Sequence, residues 1–547
     1  MSPNEHQAEH SNSDSTPSLA ESSDQIESSD QIESSDQIES SDQGESVGGG
    51  LLVITGAKLW FMVGGALIAF GLPALFASMG KDGAVLYGQY SDINNSLSIL
   101  SMMIVTGGVQ AVSKWTSQFG ADRERAQGAI WQLWWLMLGL AVVVGGGFSL
   151  AAPWIAESRG VPELSAAYRA AGGVLFAYAL YVVFIGVLNG RKRFKAQAMY
   201  DAGFTTLKVT LILGAVSLGW GVTGAFTGFA SAALLIMLIA ALKVGLGPRG
   251  ARTSLKEVYG YALQVMAYTL VFNLIFKLDL LMMKPAALAT LGAAESDRLM
   301  GIYNLALQVS RLPWQVTIAV TFVIFPLLSE ATFAQDEERS KTYIQQTLRY
   351  LLILVGAACA GLFALPQTVT SLFPESYSEM TTALVWTAPA YLCFTLFNLC
   401  NTLLMSAGRA TSAFIIGIAT VSIAAGLYWL TLYSGIITLP QSLSQYITVA
   451  GQVALFTFMS GLLMGLGRLW VLFGPPIPLG TTLRTLVASL CLWLVGQHIE
   501  SSSRIILLAS LAGLGALFFL VLILLGEWSG EERAALKSKL SRRRDHA

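Results

Sequence analysis

From about Lys58 onward the sequence is a succession of apolar segments, each long enough to cross the ~30 Å hydrocarbon core of a bilayer. They fall near 57–79, 91–119, 129–153, 165–189, 200–220, 223–246, 257–284, 300–332, 347–373, 381–406, 410–434, 445–466, 480–499 and 505–526, fourteen in all. Hydrocarbon offers no partners to backbone amides, so spans this long must be helices that satisfy themselves. The expected fold class is therefore an all-α polytopic membrane protein. Composition agrees: 54% of residues are hydrophobic and 12% are charged, against roughly 25% charged in a soluble domain.

The connections are short, the longest about fifteen residues by these soft boundaries, too small for a catalytic domain on either face. Their charge alternates. Arg123 and Arg125, then Arg191, Lys192, Arg193 and Lys195, then Lys243, Arg249, Arg252 and Lys256 lie on one side, followed by Arg339, Lys341 and Arg349, then Arg409, Arg468 and Arg484. The other side offers Lys81, Arg159, Lys284, Arg298 and Arg504, with Arg169 at a helix mouth. The positive-inside rule then places both termini in the cytoplasm. The basic C-terminal end, "RAALKSKLSRRRDHA", suits the anionic lipid of that leaflet.

Residues 1–50 repeat the unit "ESSDQI" from Glu21, and hold twelve Asp or Glu with no Lys or Arg. Such a stretch cannot bury enough apolar surface to fold and reads as a disordered acidic tether without the basic and apolar regions of a signal peptide. With twelve of the 34 acidic residues there, 22 remain against 33 basic ones in the rest of the chain. The embedded part is thus cationic, a sign suited to anionic lipid or an anionic substrate. Four cysteines without a CxxC pair, four scattered histidines and no HExxH, GxSxG or Walker A pattern give no metal, cofactor or nucleic-acid signal.

The chain also repeats itself. Gly88-Gln89-Tyr90 matches Gly301-Ile302-Tyr303, Asp122-Arg123-Glu124-Arg125 matches Asp336-Glu337-Glu338-Arg339, and Gly190-Arg191 matches Gly408-Arg409, at offsets of 213, 214 and 218. Order and spacing suggest two six-helix halves, 51–253 and 254–468, in the same membrane orientation because six is even. Residues 469–526 then add two helices and 527–547 a basic tail. Transporters often place their substrate path between two such halves.

One segment carries an arginine where insertion costs ~2.5–3.5 kcal/mol. Asn304, Gln308, Arg311 and Gln315 are spaced to form one stripe of a helix that also contains Pro313 and Pro326. The matching helix of the first half carries Asn95, Ser98, Thr106, Gln110 and Lys114. Two polar faces on repeat-related helices point to a water-filled cavity, or else to amides that satisfy one another in the bundle. In segment seven, Lys277 and Asp279 lie two residues apart and so on different helix faces. Asp279 is an ion or proton site, or one partner of a structural pair; Lys208 in segment five is another candidate. A cavity richer in cations than carboxylates suits phosphate and hydroxyl groups, because phosphate wants charge-assisted donors.

"YGQYSDINNSLSILSMMIVTGGVQAVSKW", "KLDLLMM … GIYNLALQVSRLPWQVTIAVTFVIFPLLSEA" and "LFPESYSEMTTALVWTAPAYLCFTLFNLCNTLLMSAGRA" resemble the polysaccharide flippases of the multidrug/oligosaccharidyl-lipid/polysaccharide exporter superfamily. The resemblance runs from about 57 to 526 and rests on order and spacing. It implies two six-helix bundles in a V around a central cavity, a MATE-like fold working by alternating access, and no enzymatic activity. It implies as substrate a polyprenyl-pyrophosphate-linked oligosaccharide, moved across a bacterial cytoplasmic membrane for capsule, O-antigen or exopolysaccharide. Arg311, Lys277 and Lys114 match the family's cationic cavity residues, with Asn304, Gln308 and Gln315 toward sugar or water. Asp279 falls in its "LD" and would couple to proton or sodium. Membrane lipids and polysaccharide-assembly proteins are the partners implied. The arginine-rich first helix of peptidoglycan-precursor flippases is absent. The rivals are a cation-coupled multidrug antiporter of the same fold, a membrane glycan ligase or polymerase, and a scaffold docking through the acidic tail.

Overall fold

The computed structural model describes residues 47–80, 82–119, 122–499 and 503–528. The acidic tether and most of the basic tail lie outside the described residues. The chain forms α1 (Val47–Ser78), α2 (Gly83–Gln118), α3 (Arg123–Ser158, with a π-turn at Ala141–Gly146), α4 (Ser165–Gly190), α5 (Phe194–Ala215) and α6 (Gly221–Lys243). Then follow α7 in two pieces (Leu255–Leu274 and Leu278–Leu291) and α8 in two pieces (Ala293–Ser310 and Gln315–Phe333). The remaining long helices are α9 (Glu337–Ala364), α10 (Met380–Ser406), α11 (Ala410–Leu432), α12 (Leu443–Phe473), α13 (Leu479–Gly496) and α14 (Arg504–Leu524).

Among the described residues, eleven helices are long and apolar enough to cross a membrane, or twelve if the bent α7 pair is one span. The fourteen segments expected from hydropathy differ from this at two places. Residues 194–243 run as one continuous helical stretch, yet Gly219 has φ 87°, and the chain doubles back so that α6 lies against α5 at Gly228 and Ile212. The eighth segment is interrupted at 311–314, which leaves it in two pieces.

Each repeat match has a structural counterpart. Asp122 and Asp336 are the N-caps of α3 and α9, their carboxylates accepting from the amides of Arg125 (3.1 Å) and Arg339 (3.0 Å). Such a cap satisfies amides that the first helical turn leaves free. Gly190 and Gly408 stand at the ends of α4 and α10, the latter at φ 71°. Gly88 and Gly301 meet each other: a Cβ on Gly301 would come within 2.9 Å of the Gly88 nitrogen and would strike the Ala84 carbonyl. Small residues let membrane helices approach backbone to backbone. Packing repeats as well. In the first half α1 lies on α5, α2 on α4, and α4 on α6; in the second, α7 lies on α11, α8 on α10, and α10 on α12.

The α2–α8 crossing is reinforced between the halves. Asn304 Nδ2 donates to Ser91 Oγ (2.9 Å), Gln89 Nε2 to Asp297 Oδ2 (3.1 Å), and the Tyr377 hydroxyl to the Gly83 carbonyl (3.0 Å). Buried ions beside it are paired. Lys284, which the sequence placed in an outer connection, is fully buried, bonded to Asp297 and to Ser296 Oγ (3.0 Å). Arg159 Nη1 and the Tyr168 hydroxyl both reach Asp92, at 3.2 and 2.9 Å. Pairing offsets part of the desolvation cost, and losing one partner would strand the other.

At the opposite end α13 and α14 pack on α9, and Glu527 fastens them. Its carboxylate accepts from Arg349 Nε (2.8 Å), Arg484 Nη1 (3.0 Å) and Thr481 Oγ1 (2.7 Å). Burial opposes its charge, but these hydrogen bonds outweigh it and hold the carboxyl below the usual glutamate range.

Gly301→Val should push α2 and α8 apart and cost about 1–3 kcal/mol. Gly513→Ala in α14, where a Cβ meets nothing within 4 Å, should be neutral or slightly stabilising. Thermal unfolding of the two purified variants checks the contrast. Because the Glu527 carboxyl is depressed in the fold, its contribution is fully present above the unfolded value of ~4.3. That contribution is lost as pH falls through the lower folded value. Glu527→Gln should therefore loosen the C-terminal helices at pH 7, and remove the acid-dependent step in their proteolysis that the wild type shows below about pH 4.

Candidate functional site

The two broken helices lie side by side, and the break in each leaves backbone groups unused. α7 bends by 56° between its two pieces. Lys277 adopts φ −130°, ψ −9° and caps the second piece without a side-chain bond. The Phe276 carbonyl thereby becomes available inside the bundle. In α8 the residues after Ser310 turn through i to i+3 bonds, Leu312 to Val309 and Trp314 to Arg311. Pro313, which cannot donate, sits in the middle of that stretch.

Arg311 occupies the gap. Its Nε donates to the Tyr391 hydroxyl (2.5 Å) and its Nη2 to the Phe276 carbonyl (3.3 Å). The guanidinium carbon lies 5.4 Å from the Tyr391 ring centre and 5.9 Å from that of Phe276. Cation–π contacts of this kind gain strength away from water. Asp279 is within electrostatic reach of both Arg311 and Lys277. Its carboxylate also accepts from the Leu280 amide at 2.7 Å. The pairing of cations with one acid leaves a local cationic surplus.

The continuous polar stripe expected over Asn304, Gln308, Arg311 and Gln315 is not there, because the helix breaks between Ser310 and Gln315. Asn304 lies on the intact part, buried, and its amide is spent on Ser91 and Tyr87 across the crossing. Gln308, Arg311 and Gln315 are half-buried. Lys277 and Asp279 do not lie on different faces of one continuous helix, because Lys277 sits in the break as the cap and Asp279 in the first turn of the second piece. Lys114 is held elsewhere, its ammonium 3.6 Å from the Tyr261 ring centre. At 1.5 Å per residue it is about 28 Å along α2 from Asn95, whose Nδ2 donates to the Lys277 carbonyl at 3.4 Å.

A path leads from one to the other. Ser98, Met102, Thr106 and Gln110 follow Asn95 on one face of α2, and Met102 is 46% exposed. Other faces of α2 are covered by α1, α3, α4, α7 and α8. The exposed stripe lies between the faces that those helices cover. The second-half wall is aromatic: Phe276 and Phe394 have ring centres 4.7 Å apart, and Tyr391 and Phe394 5.7 Å apart. The sequence hid Tyr391 and Phe276, since an aromatic in an apolar segment looks like core. Asp92, flanked by serine and isoleucine on α2, is a signal of the paired ions that the sequence reading did not use. Among the described residues no group of three or more His, Cys, Asp or Glu could hold a metal ion.

Residues 121–382 match the family model described as "Polysaccharide biosynthesis protein". No curated protein matches the sequence. Among solved structures, an inward-facing multidrug resistance MATE transporter of the MOP superfamily is similar at TM-score 0.61 and 16% identity, covering 76% of this chain and 98% of that one. An outward-facing MATE transporter of the superfamily is similar at TM-score 0.56 and 15% identity, with 78% and 96% covered. The lipid II flippase MurJ, in an inward closed conformation, is similar at TM-score 0.61 and 12% identity, with 85% and 97% covered. At these identities the structures establish the fold. The chain is a polytopic membrane protein of MOP-superfamily fold whose residues 121–382 match the polysaccharide biosynthesis protein family.

Proposed function

We propose that the protein is a flippase, a transporter rather than an enzyme, for polyprenyl-pyrophosphate-linked oligosaccharide units of a bacterial surface polysaccharide. The observation that carries this reading is Arg311, held at two helix breaks beside Lys277 with a single nearby acid, Asp279. Phosphate oxygens are suited to that surplus. The match to a polysaccharide biosynthesis family and the likeness to a lipid II flippase support the same substrate class.

In this reading α1–α6 and α7–α12 are two six-helix bundles that rock against each other, α7 and α8 count as one span each, α5 and α6 as two, and the total is fourteen. The α2–α8 crossing seals the outer end, and both termini are cytoplasmic. The path along Ser98, Met102, Thr106 and Gln110 opens inward, consistent with the higher similarity to an inward-facing relative. Among the described residues α2 packs on the first piece of α7, while its repeat-related counterpart, α8 against α1, makes no comparable pairing. That seam gives a lipid tail room to stay in the bilayer while its head group enters. Arg311 and Lys277 bind the diphosphate, Gln308 and Gln315 meet sugar, and Asp279 couples to proton or sodium.

With the gene removed and restored in its host, Arg311→Ala should cut surface polysaccharide by roughly ten- to a hundredfold, the scale of a lost charged hydrogen bond. Precursor should then accumulate on the cytoplasmic face. Arg311→Lys should restore part of it, because charge survives without the planar fork. Tyr391→Phe should reduce export less than Arg311→Ala, since the Phe276 carbonyl remains. Unchanged glycan and precursor in the deletion itself would sink the reading, and transport of cationic dyes would then favour the multidrug antiporter.

A further inference from the structure

Apart from Lys114 near the end of α2, which also meets aromatic rings, Lys208 on α5 differs from the other intramembrane cations. Lys284 is bonded to Asp297, Arg159 to Asp92, Arg311 to Tyr391 and the Phe276 carbonyl, and Lys277 lies beside Asp279. For Lys208 the structure shows the face of Phe229, with the ammonium 4.2 Å from the ring centre. Among the described residues it has no hydrogen bond or ion pair. Asp201, two turns earlier on the same helix, acts instead on Tyr181 of α4.

Orientation says where Lys208 points. Thr206 and Thr210 are the exposed positions of this part of α5. At 100° per residue each lies about 160° around the helix from Lys208. Thr205 and Val209 pack on α1 at Gly64. Lys208 therefore faces the interior of the first half, one turn above the buried Phe204. Its neighbours there are aromatic. Tyr178 has its ring centre 5.9 Å from Phe229 and 5.6 Å from Phe204, and Phe204 lies 6.2 Å from Tyr181. The Tyr181 hydroxyl is buried with no hydrogen-bond partner. A buried orphan hydroxyl requires an explanation, as does an unpaired ammonium inside a membrane-spanning bundle.

We propose that Lys208 is an anion subsite for the transported glycan, so that the glycan unit itself contains an acidic sugar. This rests on the flippase reading and extends it. The carboxylate of a hexuronate would pair with the Lys208 ammonium as a charge-assisted contact. A ring hydroxyl would meet the Tyr181 phenol, and the sugar's apolar face would lie on Phe229 or Tyr178. The diphosphate stays with Arg311 and Lys277 in the second half, so each half reads a different part of one substrate.

The test uses the purified full chain in nanodiscs with two soluble probes, digalacturonate for the acidic sugar and farnesyl diphosphate for the lipid diphosphate. Lys208→Met should weaken digalacturonate binding tenfold or more and leave farnesyl diphosphate unchanged. Arg311→Met should do the reverse, and Lys208→Arg should keep much of the sugar affinity. Thermal stability of Lys208→Met should equal or exceed that of the wild type, because the variant removes an uncompensated charge. The proposal falls if digalacturonate binds wild type and Lys208→Met alike or fails to bind the wild type. It falls equally if Lys208→Met loses farnesyl diphosphate instead, or unfolds where Lys208→Arg does not, which would make Lys208 a packing cation. A flat Arg311 arm counts against the flippase reading, whereas a flat Lys208 arm beside a responsive Arg311 arm counts against this subsite alone.

Discussion

The Phe276 carbonyl, freed where α7 bends by 56°, makes an arginine possible in the middle of the second half. Inside a membrane, irregular backbone survives only where it is buried in protein or lines a cavity. Here the break supplies an acceptor, the neighbouring break in α8 supplies the arginine, and Tyr391 on α10 completes the set. Three helices thus hold one charge. Arg311 is as much a consequence of the two interruptions as an addition to them. A straight α8 would carry it on a uniform helical stripe with no carbonyl to meet.

The opposite logic governs the α2–α8 crossing. There the helices are intact, the residues at contact are glycines, and backbones touch. Gly88 and Gly301 hold equivalent places in the two halves, so they meet near the axis that relates the repeats. A contact on that axis can be broken by rotating one half against the other without unpacking either. The bonds around it, from Asn304, Gln89 and Tyr377, are polar, and water could replace each of them. Aromatic contacts cross there as well, Tyr87 with Tyr377 and Phe70 with Phe373. In the proposed flippase reading, bonds of this exchangeable kind between halves are what rocking would require.

Much of the architecture was legible because membrane burial writes itself in long apolar runs, and the three repeat matches were legible because each does a mechanical task. Asp122 and Asp336 cap, Gly88 and Gly301 touch, Gly190 and Gly408 end helices. The site was legible only in part. Arg311, Lys277 and Asp279 stood out as charges in apolar sequence, and the structure brings them together. Asn304 and Lys114 stood out equally and are used elsewhere, one on Ser91 and the other on Tyr261. Periodicity assumes an unbroken helix, so it could not foresee that Pro313 ends one piece of α8. Hydropathy likewise cannot separate Tyr391, which binds a guanidinium, from Tyr377, which bonds a backbone carbonyl.

The intramembrane charges sort by what answers them. Those near the α2–α8 crossing are matched acid to base, Asp92 with Arg159 and Asp297 with Lys284, and such pairs favour one arrangement over others more than they add stability. Those at the helix breaks are incompletely matched, with two cations sharing Asp279. Lys208 is matched only by an aromatic face. Charge compensation is therefore fullest at the crossing and poorest at Lys208. An uncompensated cation raises the free energy of the empty protein, and an arriving anion recovers that energy as binding. The same energy could be recovered by pulling the two halves together around the anion. A substrate with acidic groups at both ends would then act as the bridge that the protein, when empty, lacks.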